Sequence, residues 1–221
     1  LSNISKNLEE IRSTLKDNVT LVAVSKTKSA EEIMEAYKEG IRDFGENKVQ
    51  ELEEKYELLP KDIRWHLIGG LQTNKVRKIV GKTYLIQSLD RESLALEINK
   101  RAENKGILVD TLIEVNIGEE PQKAGILTEN LGEFITLLGE LKHIRVKGLM
   151  AIIPQGSEEE NRNYFRKMHE LFEKLAEIKQ ERFSMEVLSM GMSMDYMTAM
   201  EEGSNMIRVG TGIFGARNYT V

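Results

Sequence analysis

Two cations stand at the ends of two apolar runs, far apart in the chain. Lys26 follows Leu21-Val22-Ala23-Val24-Ser25, and a strand's period of two puts Val22, Val24 and Lys26 on one face. Arg208 sits in Asn205-Met206-Ile207-Arg208-Val209-Gly210, near the other end. If the fold brings these run ends together, two inward cations repel and call for an anion. A neighbouring cation also lowers a lysine's pKa and favours the free amine, a nucleophile toward carbonyls. Each residue has a plainer reading: a lysine at a strand end is most often solvated, and Arg208 could be neutralised by Glu46 or Glu114.

Two loops are rich in glycine and hydroxyl groups: Ser189-Met190-Gly191-Met192-Ser193 and Gly210-Thr211-Gly212. Glycines let backbone N–H groups approach phosphate oxygens, and hydroxyls add donors. Plain turn chemistry would also use these residues, but two such loops together favour phosphate. Gly210-Thr211-Gly212-Ile213-Phe214-Gly215 spells G-x-G-x-x-G, yet a dinucleotide site needs an acidic residue about 20 positions on, and the sequence stops at Val221. His66, in Trp65-His66-Leu67, could face the same site but reads more simply as structural. His143 and His169 are scattered, so a metal centre is not expected. The ten methionines read as adaptable packing.

What must position these residues is a repeating βα rhythm. Ile4, Leu8, Ile11 and Leu15 share one helical face. Strand-like runs follow at 21–24, near 42–45, 65–68, 84–87, 109–116, 145–150, 186–189 and 206–209, with helical stretches between them. Ser29–Glu32 and Ser157–Glu160 read as capping boxes and Asp90 as an N-cap. Phe165, Met168, Leu171, Phe172, Leu175 and Ile178 form the apolar band of the last long helix. Eight alternating strands predict an α/β fold: a single-domain (β/α)8 TIM barrel over 1–221 with an extra N-terminal helix. The alternative is an open doubly wound sheet. In a barrel strands one and eight are neighbours, so Lys26 and Arg208 meet at the C-terminal mouth, and the loops after strands seven and eight are the usual phosphate cradle.

Composition narrows the class. The 221 residues are 40% hydrophobic and 30% charged, an ordinary globular balance. With 31 basic and 36 acidic side chains the net charge is −5, and no basic stripe is visible, which argues against nucleic acid and against an anionic membrane surface. There is no cysteine, hence no disulfide framework, thiolate nucleophile or iron–sulfur ligation. No run approaches a membrane span. A cytoplasmic protein is expected, and the acidic pI without an obvious apolar patch points to a monomer.

Eight ordered segments carry a resemblance over nearly the whole chain: Ala23-Val24-Ser25-Lys26-Thr27-Lys28, Phe44-Gly45-Glu46-Asn47, Trp65-His66-Leu67-Ile68-Gly69, Leu71-Gln72-Thr73-Asn74-Lys75, Gln87-Ser88-Leu89-Asp90-Arg91, Leu188-Ser189-Met190-Gly191-Met192-Ser193, Ile207-Arg208-Val209-Gly210-Thr211 and Ile213-Phe214-Gly215-Ala216-Arg217. Together they resemble the pyridoxal phosphate homeostasis protein family. The resemblance implies a barrel like the N-terminal domain of alanine racemase, holding pyridoxal 5′-phosphate (PLP). It implies that Lys26 is the Schiff-base lysine, with Lys28 nearer solvent, and that Arg208 faces the pyridine nitrogen. It also implies that Ser189, Gly210 and Thr211 cradle the phosphate with backbone help from Met190 and Gly191, and that Asn47 lines the pocket. Lys48, Ser29, Gly70 and Met194 depart from the family's usual residues; none touches Lys26 or Arg208.

An arginine opposite the ring nitrogen leaves the pyridine largely unprotonated, a weak electron sink. The first functional expectation is therefore a non-catalytic protein of intracellular PLP homeostasis. It would hold PLP on Lys26, release it by amine exchange, and could deliver it to apo PLP-dependent enzymes. The second is an amino-acid racemase without the usual second domain, since only a short tail follows Val209; Tyr219 is the one tail tyrosine that could replace that domain's acid–base group. The third is a sugar-phosphate barrel enzyme.

Overall fold

Residues 2–215 are described in a computed structural model; Ala216, Arg217 and Tyr219 lie outside them. Eight strands close into one parallel barrel in chain order. They are β1 (Thr20–Val24), β2 (Asp43–Glu46), β3 (Arg64–Leu67), β4 (Leu85–Leu89), β5 (Val109–Glu114), β6 (Ile144–Met150), β7 (Phe183–Ser189) and β8 (Met206–Val209). The seam is β1 against β8, with Val22 opposite Arg208 and Ala23 opposite Val209. The open doubly wound alternative is thereby excluded. Strand seven begins earlier than the expected 186–189.

The helices are α1 (Asn3–Thr14), α2 (Ala30–Lys38), α3 (Val49–Leu58), α4 (Val76–Ile79), α5 (Glu92–Lys105), α6 (Leu131–Glu140), α7 (Glu158–Ala176), α8 (Tyr196–Glu201) and α9 (Thr211–Phe214). Their starts follow local chemistry. Ser29 and Ser157 each accept from the N–H three residues on, while Glu32 and Glu160 reach back to the cap N–H. Asp90 is not a cap: α5 starts one residue later behind Arg91, to which Asp90 is ion-paired at 2.6 Å. No helix among the described residues is long and apolar enough to cross a membrane.

Two cores result. Outward-facing strand residues pack with the helices in one large shell. Inside the barrel, Val22, Leu85, Leu112, Met150 and Met206 form a separate apolar plug, the filled interior expected of this architecture. Below the plug, at the N-terminal ends of the strands, charges are matched. Arg64 reaches both oxygens of Asp43, Arg145 grips Asp110 at 2.6 and 2.8 Å, and Lys147 pairs with Glu186.

The N-terminal helix runs as a strap along the side of the barrel, between the last helix and α2. Ile4, Leu8 and Ile11 are buried, each burial contributing about 2 kcal/mol. Its polar side chains reach the last two helices: Asn7 Nδ2 donates to the Ile213 carbonyl at 2.9 Å, Thr14 Oγ1 meets Tyr196 Oη at 3.1 Å, and Lys16 Nζ donates to the Met200 carbonyl.

Candidate functional site

A cavity of about 690 Å3 opens at the C-terminal mouth, within the size range of small-ligand sites. Lys26, Asn47, Arg208, Gly210 and Thr211 line it together, as do Ser193, Asp195 and Asn161. Val24, Ile68, Ile152, Ile153, Pro154, Met192 and Met194 supply apolar walls.

Lys26 is half-buried just past β1, where the chain turns sharply. Thr27 has φ +65°, a left-handed conformation unfavourable for a β-branched residue. The strain is held by the neighbours. Ser25 donates its N–H to the Gly45 carbonyl and its hydroxyl to Glu46 at 2.6 Å. Lys55 reaches the Ser25 carbonyl at 2.8 Å, Glu46 at 2.6 Å and Glu51 at 3.2 Å. Glu51 in turn accepts the Thr27 N–H at 2.7 Å. Both residues flanking Lys26 are thus clamped by α3 and β2. Lys28 is drawn away from the cavity: its ammonium pairs with Glu32 at 3.1 Å and donates to the Phe214 carbonyl. It is packed against α2 and α9 rather than left to solvent, with a side chain only 13% exposed.

Arg208 is buried, inward from β8. Its terminal nitrogens donate to Ser189 Oγ at 2.7 Å and to the Ala151 carbonyl at 3.0 Å. Among the described residues it makes no ion pair. Glu46, one expected counter-ion, is taken by Lys55. Glu114, the other, acts on Arg208 only at range. Burial lowers the Arg208 pKa to about 10 against the pull of Glu114 and Asp195, so the guanidinium stays charged near neutrality. Burial, reinforced by Asp90 and opposed by Arg208, pushes Glu114 up to about 7.

Asn47 sits just past β2. Its backbone lies against Gly69, where a Cβ would come within 2.3 Å of the Asn47 carbonyl, so only glycine allows that approach. The Asn47 Oδ1 and Asn161 Oδ1 atoms are buried without a hydrogen-bond partner among the described residues. Buried polar atoms are rarely left so; two of them on one cavity mark places where a ligand or water donates. On the far wall the N–H groups of Gly210 and Gly212 converge on Ser193 Oγ at 3.3 and 3.2 Å, leaving that hydroxyl's own proton to be donated.

Ser189, Met190 and Gly191 are not among the residues lining the cavity. Ser189 is fully buried between Arg208 and Gln87. The Met190 N–H donates to the Met206 carbonyl, and the Gly191 carbonyl accepts from the Arg208 N–H. Nor does His66 reach the mouth: it is fully enclosed inside the barrel. Ser193 and Asn161 were not singled out as site residues. Ser193 had a local signal in its glycine-rich loop, whereas Asn161 gave none. The rim carries apolar exposure that the composition did not announce, at Ile152, Met192, Met194 and Met197.

The family model described as "Alanine racemase, N-terminal domain" matches residues 1–218. A pyridoxal phosphate homeostasis protein of Aquifex aeolicus (strain VF5) is 47% identical over 201 residues, covering 90% of this chain and 87% of its own. One from Haemophilus influenzae is 40% identical over 208 residues, covering 92% and 87%. The solved structure of PipY from Synechococcus elongatus PCC7942 with PLP bound is 37% identical, with a TM-score of 0.86 over 96% of this chain and 100% of that one. An alanine racemase of Clostridium difficile 630, 17% identical with a TM-score of 0.75, is matched over 58% of its length and shows the fold alone. Matched over nearly its whole length by the family model and by relatives of similar size, the chain belongs to the alanine racemase N-terminal domain family and, within it, to the pyridoxal phosphate homeostasis proteins.

Proposed function

We propose that this protein holds PLP at the barrel mouth, as a Schiff base on Lys26, and serves PLP homeostasis without turnover of its own. The observation that carries the reading is the pair of cations lining one cavity, Lys26 just past β1 and Arg208 on the adjoining β8. The donor set fits the group. Lys26 supplies the amine, Arg208 a permanent donor for the ring nitrogen, and the apolar walls a slot for the ring. Ser193 and Thr211 offer donors for the phosphate, Gly210 gives it close approach to the backbone while its N–H orients Ser193, and the orphaned oxygens of Asn47 and Asn161 offer acceptors. We assign the phosphate to these residues, and Ser189, Met190 and Gly191 to the support beneath them.

When bound, PLP supplies an electrophilic carbon and a ring that can act as an electron sink. Arg208 limits the second property. A charged guanidinium donates to the ring nitrogen and gives up no proton to it, so carbanions are weakly stabilised. That favours storage and release to an incoming amine over racemisation, and fits delivery to apo PLP-dependent enzymes in the cytoplasm.

The test is the visible absorbance of the purified protein with added PLP, before and after borohydride, followed by peptide mapping. A band that reduction fixes on Lys26 supports the reading. No band, or label on Lys28 or scattered over surface lysines, overturns it. Steady racemisation of any amino acid by the loaded protein would overturn the non-catalytic part.

A further inference from the structure

Beneath Arg208 a row of buried polar side chains runs down the barrel. Ser189 Oγ lies 2.7 Å from Arg208 Nη1 and 2.6 Å from Gln87 Oε1. Gln87 Nε2 is 3.0 Å from His66 Nδ1, and His66 Nε2 is 2.9 Å from Asp43 Oδ1. Arg64 Nε closes the row on the same Asp43 oxygen at 2.8 Å. Ser189, Gln87 and His66 are all fully buried, on β7, β4 and β3.

The chemistry of the two ends fixes the direction of every bond between them. Arginine can only donate. Ser189 therefore accepts from Arg208, and its hydroxyl proton goes to the Gln87 oxygen. The Gln87 amide nitrogen then faces His66, so Nδ1 must accept and the ring proton lies on Nε2, toward the Asp43 carboxylate. A third contact agrees: the Gln87 nitrogen also lies 3.3 Å from Met206 Sδ, an acceptor that an amide oxygen would face unfavourably. The reverse arrangement would strand the Ser189 proton and require a cationic His66. Asp43 is a dependable terminus. Burial would raise its pKa, but hydrogen bonds from Arg64 and His66 overcome this and hold it at about 2.

We propose that Ser189, Gln87 and His66 are positioning residues, a one-way hydrogen-bonded relay anchored on the Asp43–Arg64 pair that fixes the orientation of Arg208 against the cofactor ring. The proposal rests on the PLP reading of the cavity. Two of the five guanidinium N–H groups are committed, to Ser189 and to the Ala151 carbonyl. The plane of Arg208 is therefore set before any ligand arrives.

The test has two parts. The first is nitrogen-15 NMR of the ring atoms in the protein without PLP, with His66 assigned by H143Q and H169Q variants. The relay predicts a proton on Nε2 and a bare Nδ1. In Q87E with the carboxylate ionised, a side chain that can only accept, it predicts both nitrogens protonated. A proton on Nδ1 in the wild type overturns the relay. The second part is PLP retention and the absorption maximum of bound PLP in S189A and Q87L. In S189A, loss of one hydrogen bond to Arg208 predicts retention about tenfold weaker, as for one bond to a charged group, together with a shifted maximum. Q87L, which keeps that bond and only frees Ser189 from Gln87, predicts a smaller change in the same direction. A purely structural role would lower thermal stability and leave that maximum where it was, and this overturns the proposal. A wild type that takes up no PLP removes the cofactor reading and the relay's role with it, whereas the ring measurement tells whether the chain of bonds itself exists.

Discussion

The two ends of the barrel are built on opposite terms. At the N-terminal end Asp43, Asp110 and Glu186 each face a partner, Arg64, Arg145 and Lys147. At the mouth Arg208 makes no ion pair among the described residues, two buried amide oxygens lack partners, Thr27 is strained, and Met194 is 96% exposed. The strand charges of the closed end are paired among themselves, although Arg182 before β7 has φ +58° and a buried Nε without a partner among the described residues. The mouth is a set of unmet demands of matching chemistry, which is what a ligand site looks like before its ligand. Stability and binding are thereby separated along one axis, with the relay joining them.

The largest effects should fall on opposite sides of this division. Asp43→Ala strands His66 and Arg64, and chemical denaturation should show a loss of about 3 kcal/mol, near the low end for a broken buried pair because Arg64 is half-exposed. Lys26→Ala should leave stability within about 0.5 kcal/mol and abolish borohydride-fixed PLP. Comparable destabilisation by both variants would erase the distinction.

Titration should separate the ends next, with opposite signs. Glu114, near the mouth, has its pKa raised from 4.5 to about 7 in the fold. The folded state therefore binds the proton more tightly than the unfolded one. Its contribution is most favourable below pH 4.5 and is lost as pH rises through 7, a cost of roughly 3 kcal/mol. Asp43, at the closed end, has its pKa lowered from 3.8 to about 2. Its contribution is present above pH 3.8 and lost as pH falls through 2, roughly 2 kcal/mol. Urea unfolding from pH 4.5 to 8 should show the first slope in the wild type and a flat line in E114Q. Acid unfolding in D43N should lack the second slope.

The smallest effect concerns the strap. Asn7→Ala removes the bond to the Ile213 carbonyl and should cost about 1 kcal/mol. It should speed PLP release, read by transfer to an apo-acceptor, because α9 follows directly on Gly210. Unchanged release would show that the strap is not coupled to the mouth.

Much of this was legible in the sequence because strands alternate. Val22, Val24 and Lys26 do share a face, and closure of β1 on β8 brings Arg208 alongside. The pattern predicts strand seven only from Glu186 because Ser184 breaks the apolar run ahead of it, though Ser184 lies in the strand. Asp90 has the right type for a cap, but its carboxylate is engaged by Arg91. Ser189 looked like a phosphate donor because its loop is glycine-rich; its inward phase turns it instead toward Arg208 and Gln87. Asn161 and the relay depend on closure of the whole barrel, which no local pattern shows. Asn161 lies on α7 and the relay's members on separate strands, tens of residues apart; only the closed barrel brings that helix start to the mouth and sets Gly45 beside His66 and Met150 beside Ser189.

The seam between β1 and β8 has a consequence for synthesis. Lys26 leaves the ribosome nearly two hundred residues ahead of Arg208, Gly210 and Thr211, and α1 waits as long for the Ile213 carbonyl it holds. Contacts of such sequence separation form late and slowly. The nascent chain thus carries Lys26 without its cavity until β8 is made, and the mouth is completed in one step, when the last strand closes the ring.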